Sequence, residues 1–138
     1  MSIKLTEFMV ENYARAVPMD LNEWLSINPL PSICEEKADG FRVFLYKSNG
    51  TILLATRHGR IYSDASHPIL FKKLEILHTP EIPKKVIFDA EYVAPDELHI
   101  FDVLRIDDRD LISVSLLERK KILSQLLTGP RKFLEVPW

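Results

Sequence analysis

The dipeptide Asn49-Gly50 stands between two apolar runs rich in strand formers, residues 41–47 and 51–57. Asparagine and glycine adopt the left-handed backbone that a two-residue loop requires, so this pattern commits the middle of the chain to a β-hairpin. Directly upstream lies a charged turn, Glu35-Glu36-Lys37-Ala38-Asp39-Gly40-Phe41-Arg42, which feeds its last residues into the first strand of that hairpin. A lysine in such a turn is ordinarily a solvated charge. To act as a nucleophile it must be neutral, and at the unperturbed pKa only about four in ten thousand are neutral at pH 7. Nearby cations, a metal or desolvation lower that pKa, and Arg42 is a candidate cation. Gly40 lets the backbone turn and approach a ligand closely.

More strands follow. His58-Gly59 reads as a tight turn before a short strand at residues 60–62. Pro68 suits the first turn of a helix capped near Ser66, with Ile69, Leu70, Leu74, Ile76 and Leu77 on its core side. Pro80 and Pro83 close that helix and open a strand at residues 84–93. A period of two puts Val86, Phe88, Ala90 and Tyr92 on one face and Ile87, Asp89, Glu91 and Val93 on the other, so two carboxylates share a face. After a turn at Pro95-Asp96, residues 98–104 form a partner strand. Strict alternation there sends Phe101 and Asp102 to opposite sides. Ser115 and Glu118 make a capping box for a helix whose Leu116, Ile122, Leu123, Leu126 and Leu127 share one side. Gly129-Pro130 stops it, leaving residues 131–138 as a short tail with Trp138 exposed or against a partner. Upstream, residues 3–17 read as a helix and residues 21–26 as a second one capped by Asp20, while Asn28-Pro29-Leu30-Pro31 is a stiff lead-in.

At 138 residues the chain suits a single core. No apolar run approaches the ~20 residues of a membrane span and no signal-peptide pattern is present, so a cytoplasmic protein with no membrane contact is expected. Cys34, the one cysteine, excludes an intrachain disulfide and reads as a small core filler. A net charge of −2 excludes a whole-surface nucleic-acid clamp. The local basic group is Arg57, His58 and Arg60.

The pattern Lys37-x-Asp39-Gly40-x-Arg42 resembles the first motif of the covalent nucleotidyltransferases, and the chain is similar to the adenylation domain of ATP-dependent DNA ligases. Thr56-Arg57-His58-Gly59-Arg60 resembles the following arginine-glycine motif. Phe88-Asp89-Ala90-Glu91 resembles the acidic third motif, and Ile100-Phe101-Asp102-Val103-Leu104 the aromatic strand after it. The order is the family's. RNA ligases and capping guanylyltransferases share the first motif, but the aromatic strand and the Glu118-Arg119 helix look more like DNA ligases.

The resemblance implies that Lys37 is the nucleophile forming a phosphoramidate with AMP and that Glu35 contacts adenine. It also implies that Arg42 holds ribose or phosphate, that Arg57 contacts the AMP ribose or a nucleic-acid 5′ phosphate, that Glu91 binds ribose or a metal, and that Phe101 stacks on adenine. ATP and Mg²⁺ are the implied cofactors and nicked duplex DNA the implied substrate. From the residues alone, Arg42 and Arg57 are equally solvated strand-end charges, Asp89 and Glu91 partners of Lys84 or Lys85, and Phe101 ordinary core. Ala90 stands where the family has glycine, which would hold the backbone farther from a ligand.

The resemblance runs from residue 31 to 127, and nothing beyond resembles the family's fourth motif, its Lys-x-Lys fifth motif or its OB-fold domain. The expected organisation is an N-terminal helical segment, residues 1–30, and a partial ligase adenylation domain, residues 31–138. The expected fold is α+β, an antiparallel sheet with flanking helices in the ATP-grasp-like nucleotidyltransferase manner, with a mononucleotide groove left open on one side. An open sheet edge or face calls for cover, so a second polypeptide carrying the later motifs, or self-association, is expected. Such a chain would form lysyl-AMP for nick joining once complemented. The alternative is a non-catalytic nucleotide- or nucleic-acid-binding subunit with a ligase-derived fold.

Overall fold

The structure is a computed structural model that describes residues 20, 22, 23, 26, 33–35 and 39–138. Lys37, the helix expected over residues 3–17 and the lead-in at 28–31 lie outside the described residues. Asp20 caps as its position suggests, accepting from the backbone N–H of Glu23 at 3.0 Å.

Among the described residues six strands form one antiparallel sheet: β1 Phe41–Ser48, β2 Thr51–Thr56, β3 Ile61–Tyr62, β4 Lys85–Val93, β5 Glu97–Ile106 and β6 Arg109–Asp110. Their spatial order is β3-β2-β1-β4-β5-β6. The β1–β2 loop is the two-residue turn expected, with Ser48 opposite Thr51 and φ of 47° at Asn49 and 89° at Gly50. One helix, α1 Pro68–Leu74, follows β3, and a second, α2 Leu116–Leu126, follows β6. Ser115 caps α2, accepting from the N–H of Glu118 at 3.3 Å.

Both helices cover the same face of the sheet. Val43, Leu45, Val86, Phe88, Ala90, Ile100 and Val103 point into that core and meet Leu70, Leu74, Leu123 and Leu127. In α1 and the turn of 3-10 helix that continues it, Glu75–Leu77, the inward stripe is Leu70, Phe71, Leu74 and Leu77. Ile69, expected on the core side, is 65% exposed because the stripe starts one residue later. Cys34 is likewise exposed rather than core, since it precedes the first strand in a segment without regular structure.

The other face is not the bare surface expected. Phe44, Ala55, Ile87 and Leu104 make a second buried cluster there, with Tyr46 and Ile61 against it. The sheet ends in two-residue strands on both sides, β3 and β6. Edges that short present few unpaired backbone groups, so a long unprotected edge is absent among the described residues. Nor is the C-terminal stretch a loose tail. Residues Gly129–Leu134 form a 3-10 helix, Leu134 and Val136 are buried, and the N–H of Val136 donates to the Ile100 carbonyl at 2.9 Å. Trp138, 44% exposed, donates its indole N–H to Ser124 Oγ at 3.1 Å. Among the described residues no helix is long and apolar enough to cross a membrane.

Candidate nucleotide site

Because Val43 and Leu45 face the core, alternation along β1 turns Arg42 and Phe44 to the second face. The register sets Arg42 opposite Glu91, and Phe44 opposite Asp89, on β4. Arg42 donates from Nε to Asp89 Oδ1 at 2.8 Å and from Nη2 to Oδ2. The first and third motifs are thus joined by a two-point ion pair. Asp89, 2% exposed, takes Arg42 as its partner rather than Lys84 or Lys85. Burial pushes its pKa up to about 6; the hydrogen bond and charge of Arg42 oppose that rise, and the neighbouring Asp102 adds to it. Arg42 is therefore no solvated strand end. Its charge is also largely answered by Asp89 at neutral pH, which weakens it as the cation that would depress the pKa of a nearby lysine.

Asp102 sits directly across from Asp89 in the β4–β5 register. It has its own clamp: Arg119 of α2 donates to its two oxygens at 2.9 and 3.1 Å, and the N–H of Val103 donates to Oδ1 at 2.8 Å. The pairing shifts between Asp89 and Ala90, so that Ala90 opposes Ile100 and Asp89 opposes Asp102, leaving Phe101 as the extra residue of a β-bulge. A bulge interrupts alternation and re-aims side chains. Ile100 and Val103 consequently both face the core, which the strict period of two did not allow.

Phe101 is half-buried at this bulge. The ammonium of Lys120 lies 5.9 Å from its ring centroid, takes its backbone carbonyl as an acceptor, and meets Glu35 Oε2 at 2.5 Å. Glu35 and Phe101 are thus brought together through a side chain that the sequence reading did not single out.

Arg57 lies at the other end of the site. It is exposed just past β2, and with Arg42, Phe41, Thr56, His58, Arg60 and Tyr62 it lines an open cleft of about 530 Å³. Phe41 and Tyr62 belong to an aromatic group with Tyr92 and His67, Phe41 meeting Tyr92 edge-on with centroids 5.1 Å apart. Glu91, half-buried, stands between Arg42 and His99 in the register. Two of the glycine-related expectations change. A Cβ on Gly40 would come within 2.0 Å of the Tyr92 carbonyl oxygen, so the chain itself occupies the space that Gly40 leaves. Ala90 is fully buried in the core on the far side from Asp89 and Glu91, so its methyl does not hold the backbone away from a ligand on their face.

Among the described residues no group of three or more His, Cys, Asp or Glu side chains could hold a metal. Asp89, beside Glu91, is already taken by Arg42.

The motif strands β1 and β4, neighbours in the centre of the sheet, carry the features of one family. A family model described as ATP dependent DNA ligase domain matches residues 13–99, and the chain belongs to that family. A mycobacterial DNA ligase D, solved in complex with ATP and MES, is similar in structure at 25% sequence identity and a TM-score of 0.53, over 67% of this chain and 35% of that one. The ligase domain from M. tuberculosis LigD aligns over 72% of this chain and 43% of its own at 20% identity, with a TM-score of 0.48. This chain thus spans about a third to under half of the solved ligases it matches. No curated protein matches it.

Proposed function

We propose that this chain is the part of an ATP-dependent DNA ligase adenylation domain that binds ATP and carries the nucleophile. The observation that supports the reading best is the coincidence of the family match with the pairing of its motif strands: Arg42 lies opposite Glu91 and is ion-paired to Asp89. Glu35 and Phe101 sit at the β5 end, Arg42 and Arg57 at the β1–β2 end. Two strand spacings, about 10 Å, separate β1 from β5. That is the scale of a mononucleotide.

In this reading Phe101 stacks on adenine, Glu35 accepts from it, Glu91 holds ribose and Arg42 and Arg57 face ribose and phosphate. The neutral amine of Lys37 attacks the α-phosphorus of ATP. The N–P bond forms, the bond from phosphorus to the bridging oxygen breaks, and pyrophosphate leaves with that electron pair while the amine proton passes to solvent. Fixed cations must answer the charge that develops on the phosphoryl oxygens, and Arg42, paired at two points to Asp89, supplies only part of this. Mg²⁺ typically keeps several waters and takes one or two carboxylates plus substrate phosphates; the described residues offer Glu91 toward it and no complete site. The remaining cations and carboxylates would come from the later motifs, on a second polypeptide or a further copy of this chain. Nicked duplex DNA would then accept the AMP.

A second reading, a non-catalytic nucleotide- or nucleic-acid-binding subunit, is favoured by the commitment of Arg42 to Asp89. Mass spectrometry separates the two. Mixed with ATP, Mg²⁺ and a fragment carrying the later motifs, the chain gains one AMP on Lys37. Lys37→Ala abolishes the adduct by removing the amine, and Lys37→Arg abolishes it because a guanidinium stays protonated. Asp110→Ala, on the exposed strand β6, leaves it intact. Bound ATP with no adduct supports the second reading, and AMP on another lysine overturns the first.

A further inference from the structure

Lys120 is fully buried, 0% exposed, on a helix whose Glu118 and Lys121 are exposed. An ammonium removed from water is costly unless its three donors find acceptors. Two of those acceptors are the Glu35 carboxylate, at 2.5 Å, and the Phe101 carbonyl, with the Phe101 ring itself within cation–π range at 5.9 Å. The bulge makes this arrangement available, because Phe101 has no cross-strand partner on β4. One residue earlier on α2, Arg119 grips Asp102 by both oxygens. Adjacent cations of one helix therefore hold adjacent residues of one bulge, and Lys120 reaches in addition to a residue 85 positions back in the chain, just before the lysine motif.

We infer that Lys120 is a positioning residue that locks the Glu35 carboxylate and the Phe101 ring into one unit presented to the base of a nucleotide. The inference rests on the reading of Glu35 and Phe101 as base contacts. With Oε2 held by Lys120, the other oxygen of Glu35 is the one turned to a ligand. It can accept from an exocyclic amine, which adenine carries at the six position; guanine carries a carbonyl there, and two acceptors would face each other. Lys120 thereby makes adenine selectivity depend on α2, an element outside all four motifs. Without the ammonium the carboxylate and the ring move independently, and a base gains less from meeting both.

The test is a titration of the whole 138-residue chain with ATP and with GTP, followed by NMR. Lys120→Met should weaken ATP binding about tenfold, the size expected for losing a charge-assisted contact, and bring the ATP-to-GTP ratio close to one. Glu35→Gln, at a partly exposed carboxylate, should do the same if Lys120→Met does not fold, and the double variant should be no worse than either single one. A wild-type ATP-to-GTP ratio in Lys120→Met, or in Glu35→Gln, overturns the inference. If the wild-type chain binds neither nucleotide, the proposed function fails separately. Hydrogen exchange of the segment at residues 33–35 then decides: faster exchange in the variant than in the wild type supports the lock, and unchanged exchange refutes it.

Discussion

The two faces of the sheet are built by different rules. The helix-covered face is continuous hydrocarbon, Val43, Leu45, Phe88, Ala90, Ile100 and Val103 against α1 and α2, and its attraction is non-directional. The other face has a small apolar cluster around Phe44 and Ile87 and, beside it, the buried carboxylates Asp89 and Asp102 paired to the half-buried Arg42 and Arg119. Buried carboxylates gain little net stability from their partners, yet removing one partner is severe because the other charge is stranded. Folding energy thus concentrates on one face, and fixed charge on the other.

The largest expected effect tests the helix-covered face. Phe88→Ala, at a side chain with no exposure, should cost about 3–5 kcal/mol, read from the midpoint and slope of a urea titration. A loss under about 1 kcal/mol would mean that the core closes over the gap and is less tightly packed than the burial indicates.

Next comes the charged face, where the cost should depend on pH. Asp89 has its pKa raised from 3.8 to about 6 in the folded chain. The folded state therefore binds the proton more tightly than the unfolded state, and Asp89's contribution to stability is full below about pH 4 and falls as pH rises through 6. Above that window Asp89 is ionised in both states and Arg42 is its compensation. Arg42→Met should cost about 3 kcal/mol at pH 8 and much less at pH 5, where Asp89 can take a proton. Equal losses at the two pH values would show that Arg42 acts by packing rather than charge. The smallest effect sharpens the contrast from outside both faces: Ile69→Ser, at a 65% exposed position, should change the melting free energy by less than about 0.5 kcal/mol.

The hairpin at Asn49-Gly50, the opening of α2 at Ser115, the division of β4 into two faces and the four motifs were legible in the sequence, because each is set by residues within a few positions of one another. Ile69 was misassigned because a seven-residue helix gives too little periodicity to fix its phase. The buried charges have a signal in the sequence: Asp89 and Asp102 each sit in the middle of an apolar strand, where a carboxylate needs a partner, and Lys84 or Lys85 is the local expectation for Asp89. Which cation answers each one could not be read locally.

What the sequence determined by itself is the order of strands and turns and the family to which they belong, since strand alternation and turn conformation depend on near neighbours and need no fold to express them. Only the tertiary structure decided that β5 carries a bulge at Phe101, that Arg42 closes on Asp89 across 47 residues, and that Lys120 is buried against Glu35 across 85. A bulge is a mismatch between two strands, and the burial of a charge depends on every element that shields it from water. Both are properties of the assembled sheet and its helices, and no local stretch of chain contains them.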